Sequence, residues 1–379
     1  MTTQISAGAA SDRLDRLLGF LAMDQDNPAL LADAAEAAFE ARRFGVTAEL
    51  LGRHAALAPL PPALCNLAGL AALAEERFGD AEAYFEQLRR SGIDDPGVRF
   101  NQAWALAMVE RYGEAAELLD DEVIAVSPRG PTLKLQALHH LGDLDVALAE
   151  GRALIARYPN DQALLGAAAT LAMDADDLAM ARTCAGRAPD SPQALAVLGM
   201  LALDASDVGG AMDLFDRALA RQQGSPRALV GKGLALLAGG QAAAGARAIE
   251  AGAAHFRTHL GSWIAAGWAW LIAGDTARAQ AMFTRVCEID DTFSEGHGGL
   301  AVLALEAGDL AEAQRRSEIA LRLDAESLGG ILSRIMLLQA QGDTRTAARI
   351  RDIALATPVG PSGKTLLEAL AGMNRKSDG

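Results

Sequence analysis

The stretches "GDTARAQ" (residues 274–280), "GDLAEAQ" (308–314) and "GDTRTAAR" (342–349) repeat one pattern near the carboxyl end of the chain. In each, a small residue follows the glycine by five places, at Ala279, Ala313 and Ala347, so the spacing is 34 residues twice over. Carried toward the amino terminus, the same ruler meets Gly245, Ala211, Ala181, Ala147, Ala115, Ala81 and Ala48, with steps of 34, 34, 30, 34, 32, 34 and 33. Such a period marks a repeat array, in which each unit leaves an apolar face that only its neighbour can cover.

Other positions keep the same phase. Twelve residues before the small marker, glycine recurs at Gly69, Gly199, Gly233 and Gly267, and four residues after it an aromatic recurs at Phe85, Phe215 and Phe283. Units open on proline at Pro62, Pro96, Pro128, Pro192 and Pro226, where a fixed φ and a missing N–H suit the first turn of a helix. Midway through the unit stand Gly142, Gly240, Gly274, Gly308 and Gly342, where a helix must stop. Each unit therefore reads as two antiparallel helices, with small residues where the pair crosses closely.

These positions resemble the tetratricopeptide repeat, a helix-turn-helix unit with aromatic, glycine and alanine markers at matching places. The eighth unit, 260–293, matches most fully through Trp263, Gly267, Trp270, Ala279 and Phe283. The resemblance implies an all-α fold, a right-handed α-solenoid of about ten helix-turn-helix repeats over 29–361. Units are expected to start near 29, 62, 96, 128, 162, 192, 226, 260, 294 and 328. A capping helix is expected within 1–28, and another with a polar tail within 362–379. Ala103 and Leu119 depart from the motif in the third unit, and Gly151 and Ala185 replace the aromatic in the fourth and fifth. With the short step of 30, irregular stacking is expected near "GRAPDSP" (186–192).

Composition agrees with helices. Of 379 residues 51% are hydrophobic but only 4% aromatic, so the apolar content is mainly alanine and leucine, both strong helix formers. The formal charge of −15 repels polyanions, and on that ground neither nucleic acid nor an anionic membrane surface is an expected partner. No apolar run reaches the length of a membrane span, and the acidic residues beside "LLGFLAM" (17–23) read as an amphipathic helix rather than a secretory leader. Cys65, Cys184 and Cys287 have no close pairing, as in a reducing compartment, and a cytoplasmic location is expected. The Ala/Gly/Arg-rich composition points to a high-GC bacterial source.

Three of four tryptophans lie in "GSWIAAGWAW" (261–270). Counting each unit from 19 residues before its marker, Trp263 and Trp270 take the fourth and eleventh places and are expected in the core. The resemblance implies that the second, fifth, sixth, ninth, twelfth and thirteenth places of the first helix line a concave peptide-binding groove. Ninth places carry Leu70, Trp104, Gln136, Met200, Leu234, Trp268, Val302 and Met336; twelfth places carry Leu73, His139, Met173, Leu203, Leu237 and Leu271. Asn66, Phe100, Asn101 and Ile264 stand around them. So apolar a lining implies a hydrophobic or amphipathic segment as ligand. The family's two-carboxylate clamp is not supported, since only Arg129 and Arg227 are basic at second places.

Sites for other chemistry are weaker. "GPSGKT" (360–365) has Pro358 where a phosphate loop needs glycine. His255 and His259 have metal-pair spacing without an acidic partner, while His139 and His140, adjacent in sequence, are not expected to share a face. No catalytic residue, cofactor or metal is expected. The chain reads as a non-enzymatic scaffold for another protein or peptide, as a chaperone or assembly factor for a secretion, pilus or envelope complex. The alternatives are an accessory subunit of an enzyme complex, such as one for polysaccharide synthesis, and a scaffold that self-associates.

Overall fold

The computed structural model describes residues 2–356, with side chains from residue 9 onward. Among them are 22 α-helices and no strand. The expected carboxyl-terminal cap and "GPSGKT" lie outside the described residues.

The chain divides into two compact units, 1–171 and 172–379. The first opens with α1 (Thr2–Leu21) and continues as hairpins α2 (Pro28–Glu40) with α3 (Phe44–Leu57), then α4 (Pro62–Ala74) with α5 (Phe78–Arg90). There follow α6 (Pro96–Met108) with α7 (Tyr112–Leu118) and α8 (Asp121–Val126), then α9 (Gly130–Leu141) with α10 (Leu144–Arg157). The boundary falls inside α11 (Gln162–Asp174), which α12 (Leu178–Arg187) follows in the chain. The second unit stacks α13 (Pro192–Asp204) with α14 (Val208–Arg221), α15 (Pro226–Ala238) with α16 (Ala242–Phe256), and α17 (Leu260–Ile272) with α18 (Thr276–Ile289). It ends with α19 (Ser294–Glu306) paired to α20 (Leu310–Leu323) and α21 (Leu328–Ala340) to α22 (Thr344–Ala356).

The Gly-Asp dipeptides explain the turns. At Gly274, Gly308 and Gly342 the backbone enters the left-handed region, with φ of 78°, 79° and 84°, which glycine adopts without a Cβ clash. The next residue caps the second helix: Asp275, Asp309 and Asp343 each accept from the N–H three residues on, at 3.0, 3.0 and 3.1 Å. Elsewhere other residues bear the same left-handed conformation, at Arg42, Glu76, Glu110, Asp176 and Ser206.

The small markers are buried where paired helices cross, with Ala81, Ala115, Ala147, Ala279 and Ala313 fully enclosed. In the first hairpin the enclosed residue is Thr47, not Ala48, so the ruler there is one residue late and the true step to Ala81 is 34. The glycine and aromatic markers meet: a Cβ at Gly267 would stand 2.5 Å from the Phe283 ring, and one at Gly299, in the next hairpin, equally close. Phe215 is held the same way between Gly199 and Gly231. Each ring is sealed by two helix backbones that only glycine lets approach.

One interruption was not expected, and one expectation needs correction. Besides α12, which is only ten residues long before 188–192, the second helix of the third hairpin breaks into α7 and α8. Buried Leu119 stands at the break, and Asp120 restarts the chain by accepting from Val123 N at 2.9 Å. Further, Trp270 is buried but Trp263 is not core. Its half-exposed indole donates to the Arg257 carbonyl at 2.9 Å, closing the loop before α17.

Candidate functional site

In the first unit the face presented by successive first helices centres on Trp104 of α6. The half-buried indole lies 6.4 Å from the Phe100 ring, and the Arg129 guanidinium stands 4.8 Å above it. A cation over an indole face is held by the ring quadrupole, so Arg129 is stationed there rather than free to clamp a carboxylate. Phe100 is itself buried. Leu70 and Leu73 are half-buried against the core of α4, α5 and α6. Asn66, Asn101 and His139 are half-buried and Gln136 is exposed.

In the second unit Leu234, Leu237, Ile264, Trp268 and Leu271 come together as half-buried residues around one core cluster. Trp268 meets Phe283 edge to face at 5.2 Å, so part of its ring is spent on its own hairpin. Met200 and Leu203 fringe the neighbouring cluster around Phe215. Met173 and Met336 are half-buried, and Val302 is buried. The inner glycines missed by sequence reasoning belong here too: Gly231 and Gly299, at sixth places, pack on the preceding hairpin and so line no groove.

Several other polar groups are paired internally. A cleft of about 630 Å³ in the first unit is lined by Glu82, Glu86, Arg89, Gln102, Arg111 and Glu114. Arg111 pairs with Glu114 at 2.6 Å and with Glu82 at 3.4 Å, and Gln102 bridges Glu86 and Arg89. The Gln102 amide, and then Arg90 and Arg89, hold Glu86 below the usual carboxylate range. His259 caps α17, accepting from Ser262 N at 3.2 Å; burial above all pushes its imidazole down. His139 and His140, expected on different faces, stack at 6.0 Å at the end of α9, and Tyr112 covers His140 at 4.4 Å. Among the described residues no three His, Cys, Asp or Glu side chains group as metal ligands, and no helix is long and apolar enough to cross a membrane.

Residues 66–131 and 167–226 match the tetratricopeptide-repeat family model. No curated protein matches the chain in sequence. Among solved structures, a monomeric mutant of IFIT1 with Gppp-AAAA is 12% identical, with a TM-score of 0.53 covering 90% of this chain and 94% of that one. A human IFIT1 dimer with PPP-AAAA is 13% identical, with a TM-score of 0.50 covering 90% and 93%. The Cut9–Hcn1 hetero-tetramer of the APC/C is 10% identical, with a TM-score of 0.49 covering 88% and 87%. For the two IFIT1 structures the likeness concerns the fold alone. With the matched segments, the hairpin ladder and its glycine-sealed phenylalanines, the chain carries tetratricopeptide repeats, which indicate a scaffold for protein–protein interaction.

Proposed function

We propose that the chain is a non-enzymatic scaffold that takes a hydrophobic or amphipathic helical segment of another protein on the first-helix face, as a chaperone or assembly factor. The observation that carries this reading is the second unit's run of half-buried Met200, Leu203, Leu234, Leu237, Trp268 and Leu271 at the ninth and twelfth places. Methionine, leucine and tryptophan there leave apolar surface that polar residues would cover on a face with nothing to bind. Cys65, Cys184 and Cys287 are unpaired, with burial pushing each thiol up, which supports a reducing, cytoplasmic setting. The charge of −15 disfavours a polyanion. The fold itself does not exclude one, because IFIT1 carries Gppp-AAAA on the same kind of architecture.

Calorimetric titration of the full chain tests the reading, using an amphipathic helical peptide and a scrambled peptide of the same composition. The amphipathic peptide is expected to bind, and Leu234→Gln to weaken it with helical content unchanged. Equal binding of both peptides, or of neither, overturns the proposal.

A further inference from the structure

One ion pair in the second unit joins hairpins that are not neighbours. Arg227 Nη2 lies 2.8 Å from Asp174 Oδ2, a contact between residues 53 apart. Asp174 is the last residue of α11 and Arg227 the second of α15, while α13 packs on α15 between them. The partners sit at opposite ends of their helices, on the hairpins before and after that of α13. Both side chains are about two-thirds covered, at 28% and 33% exposure.

A further observation bears on this place. His259 of α17 lies within electrostatic reach of both partners, Arg227 pushing its imidazole down and Asp174 up after the larger effect of burial. Residues of α11 and α15 and the cap of α17 thus send polar groups to one spot, beside half-buried Met200 and Leu203 of α13. At second places only Arg129 and Arg227 are basic, and Arg129 is engaged by Trp104.

We propose that Asp174 and Arg227 form a clasp across the first-helix face of α13, which must open before a guest reaches Met200 and Leu203. The inference rests on that face being the binding surface, and it adds regulation. A pair about one-third exposed still contributes little free energy and is weakened by salt, so the clasp yields to a guest rather than sealing the face.

The test uses the full chain with Met200→Cys as a reporter, labelled by N-ethylmaleimide, a neutral reagent, and read site by site by mass spectrometry. Adding Asp174→Asn or, separately, Arg227→Gln is expected to speed labelling of residue 200 about threefold, the scale of a surface ion pair. Exchanging the charges, Asp174→Arg with Arg227→Asp, should return the rate toward the reporter alone. Salt at about 1 M should speed the reporter but not the neutralised variants. Unchanged labelling in both neutralised, still helical variants overturns the clasp, as does a charge-exchanged variant as fast as they are. Nile red, a neutral apolar dye, separates the two readings: faster labelling without tighter dye binding keeps the clasp and removes the apolar guest face.

Discussion

Two hairpin turns of the first unit and those closing the second meet the same demand with different residues. Every turn needs one residue at positive φ followed by the start of a helix. At Glu76-Arg77 and Glu110-Arg111 a glutamate adopts φ of 58° and 64°, and neither arginine caps α5 or α7. Arg77 reaches Asp80 at 2.6 Å and Arg111 grips Glu114, so first-turn carboxylates do for the helix dipole what the cap does elsewhere. At Gly274-Asp275 and Gly308-Asp309 the conformation is unstrained and the cap is made. The second unit also closes its rings between paired glycines, whereas Phe85 of the first is approached by Gly69. One topology is thus stabilised by surface charge at some turns and by backbone fit at others, and the two kinds of turn should respond differently to substitution.

The largest effect is expected where backbone fit is greatest. Gly231→Leu would drive a side chain into the Phe215 ring and should cost about 3 kcal/mol, seen as an earlier urea transition by circular dichroism. Gly79→Leu on α5, with open space around it, should cost nothing measurable; equal losses would erase the contrast. Next, Gly274→Glu should lose about 1.5 kcal/mol by forcing a Cβ into the left-handed region. The reverse change, Glu76→Gly, should gain about 0.5–1 kcal/mol in the same denaturation assay. Asp275→Ala should cost about 1 kcal/mol for the lost cap, and Arg77→Ala clearly less.

The smallest effect concerns charge in the second unit. Arg315, then Arg316, pull the Glu312 carboxyl down to about 2. Because the folded value lies below the ordinary one, its contribution is present above the usual glutamate range, near pH ~4.3, and is lost as pH falls toward 2. Being partly exposed, the group is worth at most about 1 kcal/mol. The stability difference between the wild type and Glu312→Gln should therefore shrink on acidification; a difference constant with pH would show that the arginines do not act through this carboxylate.

The ladder of hairpins was legible in the amino acids because period, crossing residue, ring and turn are local demands that recur at fixed spacing. A left-handed turn asks for Gly-Asp, and a close crossing asks for Ala or Gly, whatever the rest of the chain does. The exceptions were illegible for the same reason. Nothing in "ELLDDEV" (117–123) distinguishes an exposed acidic end from the cap that splits α7 from α8, because only packing of buried Leu119 decides it. Trp263 and Trp270 share a helix face by spacing, yet Trp270 donates to Glu250 at 2.8 Å within the stack while Trp263 turns to a loop carbonyl.

The sequence by itself determined the repeat, its ten-fold count and the identity of every buried crossing but the first, since these follow from the chemistry of one hairpin and its immediate neighbour. Only the tertiary structure decided which apolar residues stay reachable and that Asp174 meets Arg227, because a contact between alternate hairpins depends on how each successive pair is set against the last. Small differences in helix length and crossing accumulate along a stack, and no local pattern records their sum.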